Sequence, residues 1–522
     1  MTDTPQPAFN LLDEAWIPVR RQDGTVFDVS LSEALLHAAD YTALAETSPP
    51  NLIALYRVLL AVLHRALTTH HGPWKDADRA RWFRQGLPRD ALRAYLEQWR
   101  DRFWLIHPEA PFMQMALLDT AAETRDKQKP WSQISLESAT GNAPVVFDHS
   151  LDTRPEAIPC AQALRMLLGC YQFTPGGLVR VFRDRDESGP LANTAAILPL
   201  GMNLEKTLLL ALHPYNARTE DLPAWEQQPP TKSLITNKAT LATGPNDRYT
   251  RQTRAALLLT ESNSGLVKYI RFGEGLTLAA DPNSQDSMAA YRINNDGKAI
   301  RITYTEGRTI WRDLPTLLPD GSRSSNIPPA VLEWAANLHD ALGEYDAEVP
   351  LLSAGVASEV VRYKVLRWRM DRIVLPPAVL TETGAAAELR AQIRRSEKMY
   401  DCLRDFCIDM TVLTLPDPKH KDTKAKARNM VDRGPASAVF FSTVERSLTR
   451  LMHRIAAGDL EGAAEHWNAA LGVAAKKAWE AVCRTMGDAP AALRAEAKTW
   501  PRFQSWLKTL APTDTQTTET TP

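Results

Sequence analysis

The sequence predicts an α+β protein in which a large mixed α/β domain precedes a C-terminal four-helix bundle. In the first part of the chain, short β-type runs alternate with helical patterns and turn residues. After Pro376 and Pro377 the pattern becomes helical. We therefore expect a mixed domain at 1–375, the bundle at 376–511, and a disordered Thr-rich tail at 512–522.

The first domain has several recognisable elements. Trp16–Arg20 and Thr25–Val29 are β-type runs around a turn, which predicts a hairpin. Ser48 precedes a long helix, and its apolar residues share one face: Leu52, Leu55, Val58, Leu59, Val62 and Leu63. A further helix is expected at Cys160–Phe173, before the turn residues 174–177. Residues 190–350 are expected to alternate short strands with turns.

The bundle is predicted from four helical patterns, at roughly 378–413, 437–457, 460–486 and 488–510. Gly434 and Gly458 fall where helices would stop. Between the first two patterns, basic residues crowd a predicted loop: Lys419, Lys421, Lys424, Lys426 and Arg428.

Composition limits the class of function. The 522 residues carry a formal net charge of −1, so any nucleic-acid surface must be a local basic patch. The five cysteines form no CxxC pair, which argues against structural zinc and fits a reducing cytosol. The N-terminal residues lack the pattern of a signal peptide, and the apolar run Leu52–Leu67 is interrupted by basic residues. We expect a cytoplasmic protein without membrane contact.

No complete catalytic pattern is present, so we expect no enzyme, no catalytic residues, no metal and no cofactor. Gly176 and Gly177 follow a helix and lack the lysine of a phosphate loop, so they are either a helix C-cap or a close approach to a ligand. There is no GxSxG nucleophile pattern. The alternative hypothesis is a metal-dependent nuclease that acts alone through Asp148 and His149.

Three clusters combine basic residues with aromatic neighbours or with one another. They lie at Arg248–Arg254, at Arg362–Arg372 and at Lys419–Arg428. Lys and Arg bind phosphates and aromatic rings stack on bases, so such clusters are typical of nucleic-acid surfaces. A solvated charged face is the other interpretation of each cluster. Occurrence of all three in a chain of nearly zero net charge favours local patches.

The order of several segments resembles the CasA family, the large subunits of type I-E CRISPR Cascade surveillance complexes. The similar segments are Phe9–Val19, His107–Gln114, Ala139–Ser150, Phe173–Gly177 and Asp281–Arg292. The resemblance implies a non-catalytic subunit that recognises the short adjacent motif (PAM) in target duplex DNA. It also implies help in opening the duplex for R-loop formation, and recruitment of a separate helicase-nuclease. The implied partners are the other Cascade subunits, the guide RNA, double-stranded target DNA and that helicase-nuclease.

The resemblance also assigns site residues. Gly176 and Gly177 match the family's glycine loop, and Lys268 matches its PAM-contacting lysine. Phe147, Asp148 and His149 match a mobile loop that contacts the complex and the DNA. The family's duplex-separating wedge falls near Arg362, Tyr363 and Lys364, where this sequence lacks the Asn-Gln pair; an inserted Arg or Tyr could still unstack a base step. A purely architectural subunit that binds only protein or RNA is a third hypothesis.

Overall fold

The computed structural model describes residues 6–138, 152–177, 179–184, 187–218, 220–260, 265–280, 285–305, 307–319, 326–344, 347–359 and 364–509. The chain divides into two compact units. Unit 1 comprises residues 1–308 and 323–374. Unit 2 comprises residues 309–322 and 375–522.

The helices, in chain order, are α1 (Leu31–Leu36), α2 (Pro49–His71), α3 (Asp76–Gln85), α4 (Arg89–Gln98), α5 (Cys160–Phe173), α6 (Leu204–Ala211), α7 (Lys232–Thr236), α8 (Pro245–Thr250), α9 (Ile310–Leu317), α10 (Ala330–Leu342), α11 (Ala378–Thr381), α12 (Thr383–Val412), α13 (Lys421–Asp432), α14 (Ala436–Glu445), α15 (Leu448–Ala456), α16 (Leu460–Met486) and α17 (Pro490–Lys508). Of these, α9 and α11 to α17 belong to unit 2.

The strands are short and form several small sheets. They are β1 (Ala8–Asn10), β2 (Ile17–Arg21), β3 (Val26–Val29), β4 (Tyr41–Leu44), β5 (Trp104–Ile106), β6 (Lys129–Pro130), β7 (Ile158–Pro159), β8 (Ala195–Pro199), β9 (Arg254–Thr260), β10 (Leu266–Glu274), β11 (Tyr291–Ile293), β12 (Ala299–Arg301), β13 (Asn326–Ile327), β14 (Val349–Glu359) and β15 (Lys364–Leu375). The sheets have the orders β3-β2-β4, β15-β14-β8, β12-β11-β13, β1-β5 and β6-β10-β7, with β9 also paired to β10.

Helix α2 forms the centre of unit 1. Its residues are buried on all sides from Pro49 to His64, and it packs on α5 and on α8. By length and apolar composition α2 meets the requirement for a membrane-spanning helix, contrary to the expectation from its basic residues. Most of it is buried inside unit 1, as in the core helix of a folded domain.

The mixed α/β character of the chain and its C-terminal helical region are confirmed. The predicted hairpin is β2 paired antiparallel with β3, and α5 has the predicted bounds. The expectation of strands and turns throughout 190–350 is wrong, because α6, α8 and α10 also form there. These helices are short and pack against other helices of unit 1, so tertiary contacts stabilise them more than local propensity does.

Unit 2 contains more helices than the predicted four. The pattern expected at 437–457 is divided at Arg446 and Ser447 into α14 and α15. The basic stretch expected as a loop forms α13, because Thr423, Ala427 and Val431 recur at helical spacing and are buried. Trp467 of α16 lies in the centre of unit 2, and its indole nitrogen donates to the carbonyl oxygen of Gln392 at 2.9 Å.

Candidate nucleic-acid interface

The loop that follows α5 has two ends that are hydrogen-bonded to each other. We call residues 174–189 the glycine loop; residues 178, 185 and 186 lie outside the described part of the chain. The backbone N–H of Gly189 donates to the carbonyl of Thr174 at 2.9 Å, and that of Leu191 donates to the carbonyl of Gln172 at 2.8 Å. The ends therefore meet in a neck, as in Ω-loops. A Cβ at Gly189 would lie 2.7 Å from the Gln172 carbonyl oxygen, so this close approach requires glycine.

Gly176 and Gly177 lie just beyond the helix end. The C-cap interpretation is wrong, because Thr174 is the C-cap of α5. Gly177 does not have a left-handed backbone, and a Cβ there would lie 4.0 Å from the nearest atom, the Pro175 carbonyl oxygen. Neither backbone conformation nor packing within the described chain requires glycine at 177. The other interpretation, a backbone that approaches a ligand, is compatible with this geometry.

The hairpin of β14 and β15 reaches the same end of unit 1. Gly355 pairs with Ala195, and the N–H of Val356 donates to the carbonyl of Thr194 at 3.3 Å. Thr194 follows the neck of the glycine loop by only a few residues. Val356, three residues before the end of β14, is therefore close to the neck. Arg362, Tyr363 and the side chain of Lys364 lie outside the described residues.

Lys268 lies at the other end of α5. In β10, Val267 pairs with Ile158 of β7, and the Gly265 carbonyl accepts the N–H of Cys160, the first residue of α5. The pairing of β10 with β9 has a bulge at Lys268, whose side chain is half-buried. Because α5 is roughly 20 Å long, the structure does not bring Lys268 together with Gly176 and Gly177.

Phe147, Asp148 and His149, the mobile-loop residues, lie outside the described residues. The nuclease hypothesis, which depends on Asp148 and His149, therefore has no support from the described structure. The residues that flank this segment lie next to β6 and β7, which pair with β10, the strand that contains Lys268. Ser132 Oγ donates to the Asp152 carboxylate at 2.5 Å, and the Trp131 indole donates to the Glu156 carbonyl at 2.7 Å. Within the described ranges, no group of three or more His, Cys, Asp or Glu side chains could hold a metal ion.

Arginines of the glycine loop were not singled out from the sequence, and two of them, Arg180 and Arg183, lie in the described part of the chain. Arg180 is exposed, and Arg183 is half-buried with its guanidinium donating to the Gly275 carbonyl at 3.1 Å. The signal was present, because both arginines follow the two glycines within one short segment. The arginines of residues 174–189 are matched in number by Asp184, Asp186 and Glu187, so the formal net charge of the glycine loop is zero. Arg180 therefore adds one exposed cation to the loop and no overall positive charge.

A pair of buried histidines lies away from this interface. His64 and His213 stack with ring centroids 3.7 Å apart, beside a cavity of about 490 Å³. Burial lowers the pKa of His64 to about 3, and burial together with the neighbouring His64 and Arg79 lowers the pKa of His213 well below its ordinary value. Both imidazoles are therefore neutral at physiological pH.

Comparison with known proteins identifies the family. The model of CRISPR-associated protein Cse1 matches residues 10–481. A CasA/Cse1 protein of Thermus thermophilus is 33% identical over 500 residues, covering 94% of this chain and 95% of the relative. The solved Thermus thermophilus CasA (Cse1) structure has a TM-score of 0.81 and 30% identity, covering 97% of this chain and 100% of that one.

A chain of a solved CRISPR RNA-guided surveillance complex has the same fold, with a TM-score of 0.74 at 20% identity, and covers 96% of this chain and 100% of its own length. The family match extends over most of the sequence, and the Thermus relative matches nearly from end to end. The chain therefore belongs to the Cse1 (CasA) family, the large subunits of the type I-E Cascade surveillance complex.

Proposed function

We propose that this subunit recognises the PAM in target duplex DNA through the glycine pair, with the backbone of the half-buried Gly177 as the contacting group; Gly176, next to it, is buried. The observation that supports it is the open space at Gly177, which lies at the end of unit 1 that β14 and β15 also reach. Backbone groups without a Cβ can approach a base edge or a sugar in the minor groove. Because minor-groove patterns are degenerate, such readout tolerates more than one PAM.

The remaining steps of the proposal are those that the family resemblance implies, with the hairpin of β14 and β15 as the element that opens the duplex. A side chain at 362 or 363, next to the PAM, would insert into the first base step and help to open the duplex. Base pairing with the guide RNA then reads the sequence. The subunit itself cuts nothing in this scheme; it recruits a separate helicase-nuclease once the R-loop has formed.

Lys268 has a different task in this proposal. Since α5 separates it from the glycine loop by roughly 20 Å, it does not read the base step that Gly177 reads. A lysine at that distance contacts the phosphate backbone farther along the duplex, where it adds affinity without sequence information.

Substitution of Gly177 tests the proposed readout. Because a Cβ at this position meets nothing closer than 4.0 Å, Gly177→Ala and Gly177→Asp leave the fold intact. In complexes assembled with guide RNA, we expect Asp to weaken binding of PAM-containing duplex at least tenfold, equivalent to ~1.4 kcal/mol, and Ala to weaken it less. Wild-type binding by Gly177→Asp across a salt titration would show that the loop does not contact the DNA.

Substitution of Lys268 tests the phosphate contact. Lys268→Ala should weaken binding of duplexes with and without a PAM by the same factor, and should lower the slope of log K against log salt by about 0.9. Lys75→Ala removes an exposed lysine of another element and serves as the control. Loss of PAM discrimination in Lys268→Ala would instead place this lysine at the PAM.

A further inference from the structure

Two buried side chains of opposite charge bind the flanks of the glycine loop. Arg254 begins β9 and Glu274 ends β10, and the two are register partners in this antiparallel pair. Directly opposed residues of an antiparallel pair project to the same face of the sheet. Arg254 is 1% exposed and Glu274 is 0% exposed. Burial of two charged groups is unfavourable unless each is fully hydrogen-bonded, so their partners indicate their role.

The guanidinium of Arg254 joins the two ends of the loop. One terminal nitrogen donates to the Glu187 carbonyl at 2.8 Å. The other donates to the Pro175 carbonyl at 3.1 Å and to Thr174 Oγ1 at 3.2 Å. Pro175 directly precedes Gly176, so Arg254 fixes the backbone at the start of the glycine pair. The planar fork of arginine reaches both ends at once, which the single ammonium of lysine cannot do.

The carboxylate of Glu274 binds the middle of the loop. It accepts the backbone N–H groups of Val181 at 2.8 Å, Phe182 at 2.9 Å and Arg183 at 3.2 Å. These are charge-assisted hydrogen bonds, which are stronger than those between neutral groups. Three converging donors require an acceptor with no hydrogen of its own, and a glutamate supplies it.

The residues around Glu274 allow this close approach. A Cβ at Gly273 would lie 3.1 Å from the Phe182 ring, and a Cβ at Gly275 would lie 2.2 Å from the Gln252 carbonyl oxygen. Phe182 packs on a small buried apolar cluster that contains Met115 and Ile235. The glycine loop is therefore held by backbone hydrogen bonds, by one aromatic anchor and by two charges.

We propose that Arg254 and Glu274 are positioning residues that hold the Gly176–Gly177 backbone in the geometry that reads the PAM. This inference rests on the proposed function. A main chain that is itself the reading element must be placed to within about half an ångström, and no side-chain rotamer can correct an error. A loop fixed before binding also avoids the entropic cost of ordering at the DNA.

The test uses shape-conserving substitutions in the assembled complex with guide RNA. Glu274→Gln places amide hydrogens against backbone donors, and Arg254→Lys removes the fork. Thr174→Val removes one acceptor of Arg254 without leaving a buried charge, so it folds even if the other two do not. Three target DNAs serve as probes. The first is a duplex with the preferred flank, which is identified by selection from a library with randomised flanks. The second is the same duplex with a scrambled flank, and the third is a target whose first base pairs are already unpaired.

We expect Glu274→Gln and Arg254→Lys to lose about tenfold in affinity for the preferred-flank duplex, and Thr174→Val to lose about threefold. Binding of the unpaired target should change little, because it bypasses PAM reading. A general folding defect would weaken binding of the preferred-flank duplex and of the unpaired target alike. In hydrogen exchange, Glu274→Gln should accelerate exchange of the amides of Val181, Phe182 and Arg183 relative to other amides of unit 1.

Matched controls come from the same unit. Glu205 is a buried glutamate that accepts the N–H of Leu87, and Arg79 is a buried arginine that donates to the carbonyls of Leu212 and Trp334. Glu205→Gln and Arg79→Lys should leave the ratio of affinities for preferred and scrambled flanks unchanged. If the three test variants also leave it unchanged while Gly177→Asp abolishes it, the positioning role is overturned and the proposed function stands. If Gly177→Asp leaves it unchanged as well, the proposed function fails first.

Discussion

His64 and His213 show how burial sets the charge of single residues. Their rings stack at 3.7 Å, and His213 Nε2 lies 3.7 Å from the Asp221 carboxylate, beyond hydrogen-bonding distance. Desolvation favours the neutral form of an imidazole, which accounts for most of the lowered pKa of both residues. The sequence offers no sign of this, because the two histidines are distant in the chain and have no common motif.

This burial predicts acid sensitivity. The folded-state pKa of each histidine is below the unfolded value of 6.5, so the unfolded chain takes up protons first as the pH falls. Their contribution to stability is complete above about pH 6.5 and is lost on acidification, by ~1.4 kcal/mol per histidine between pH 7.5 and 5.5. Urea midpoints at the two pH values should show this loss, and His213→Phe should reduce it. An equal loss in wild type and variant would contradict the assignment.

At the same scale, some site residues were predictable and others were not. Gly176 and Gly177 stand out in the sequence because paired glycines after a helix have few explanations, and the structure removes the C-cap explanation. The expectation of a basic surface cluster at Arg248–Arg254 is wrong, because its three arginines are buried. The role of Arg254 and Glu274 could not be predicted, because their partners are backbone groups brought together only by the folded loop. The distance of Lys268 from the glycines follows from the packing of β10 along α5, which periodicity does not reveal.

At the scale of elements, long periodic segments were predicted well. Helix α5 has the expected bounds and α16 matches its predicted range, because apolar residues recur at helical spacing over several turns. Helix α13 was predicted as a loop because its many lysines make the segment polar, and its buried face consists of only three small or medium-sized residues. Helix α9 was missed because Pro315 lies inside it.

The packing of unit 2 predicts a strong effect at Trp467. This side chain is fully buried, and its ring meets that of Trp311 edge-on with centroids 6.2 Å apart. Trp467→Ala should destabilise the protein by about 3–5 kcal/mol through the cavity and the lost hydrogen bond to Gln392. Chemical denaturation measures the change. Met430→Ala, at a residue that is 54% exposed, should change stability by less than about 0.5 kcal/mol; comparable losses in both variants would argue against a core around α16.

At the scale of the whole molecule, the nearly neutral charge and the class of fold were evident from composition and pattern. The membership of each unit was not evident. Unit 2 takes a segment, 309–322, from far upstream of its other residues. Sequence patterns describe neighbours along the chain, so they cannot show that α9 packs on α12 and that Arg312 pairs with Glu397 at 2.8 Å. Such long-range association depends on tertiary burial rather than on local propensity.

The placement of α9 has a practical consequence for dissection of this subunit. A fragment cut at the apparent domain boundary, starting at residue 376, retains α11 to α17 but loses Trp311 and Arg312. Phe441 then loses both the Trp311 ring, 6.0 Å away, and the guanidinium of Arg312 over its face. Such a fragment would expose aromatic surface and tend to aggregate. A soluble C-terminal fragment should carry residues 309–319 joined ahead of residue 376 by a flexible linker.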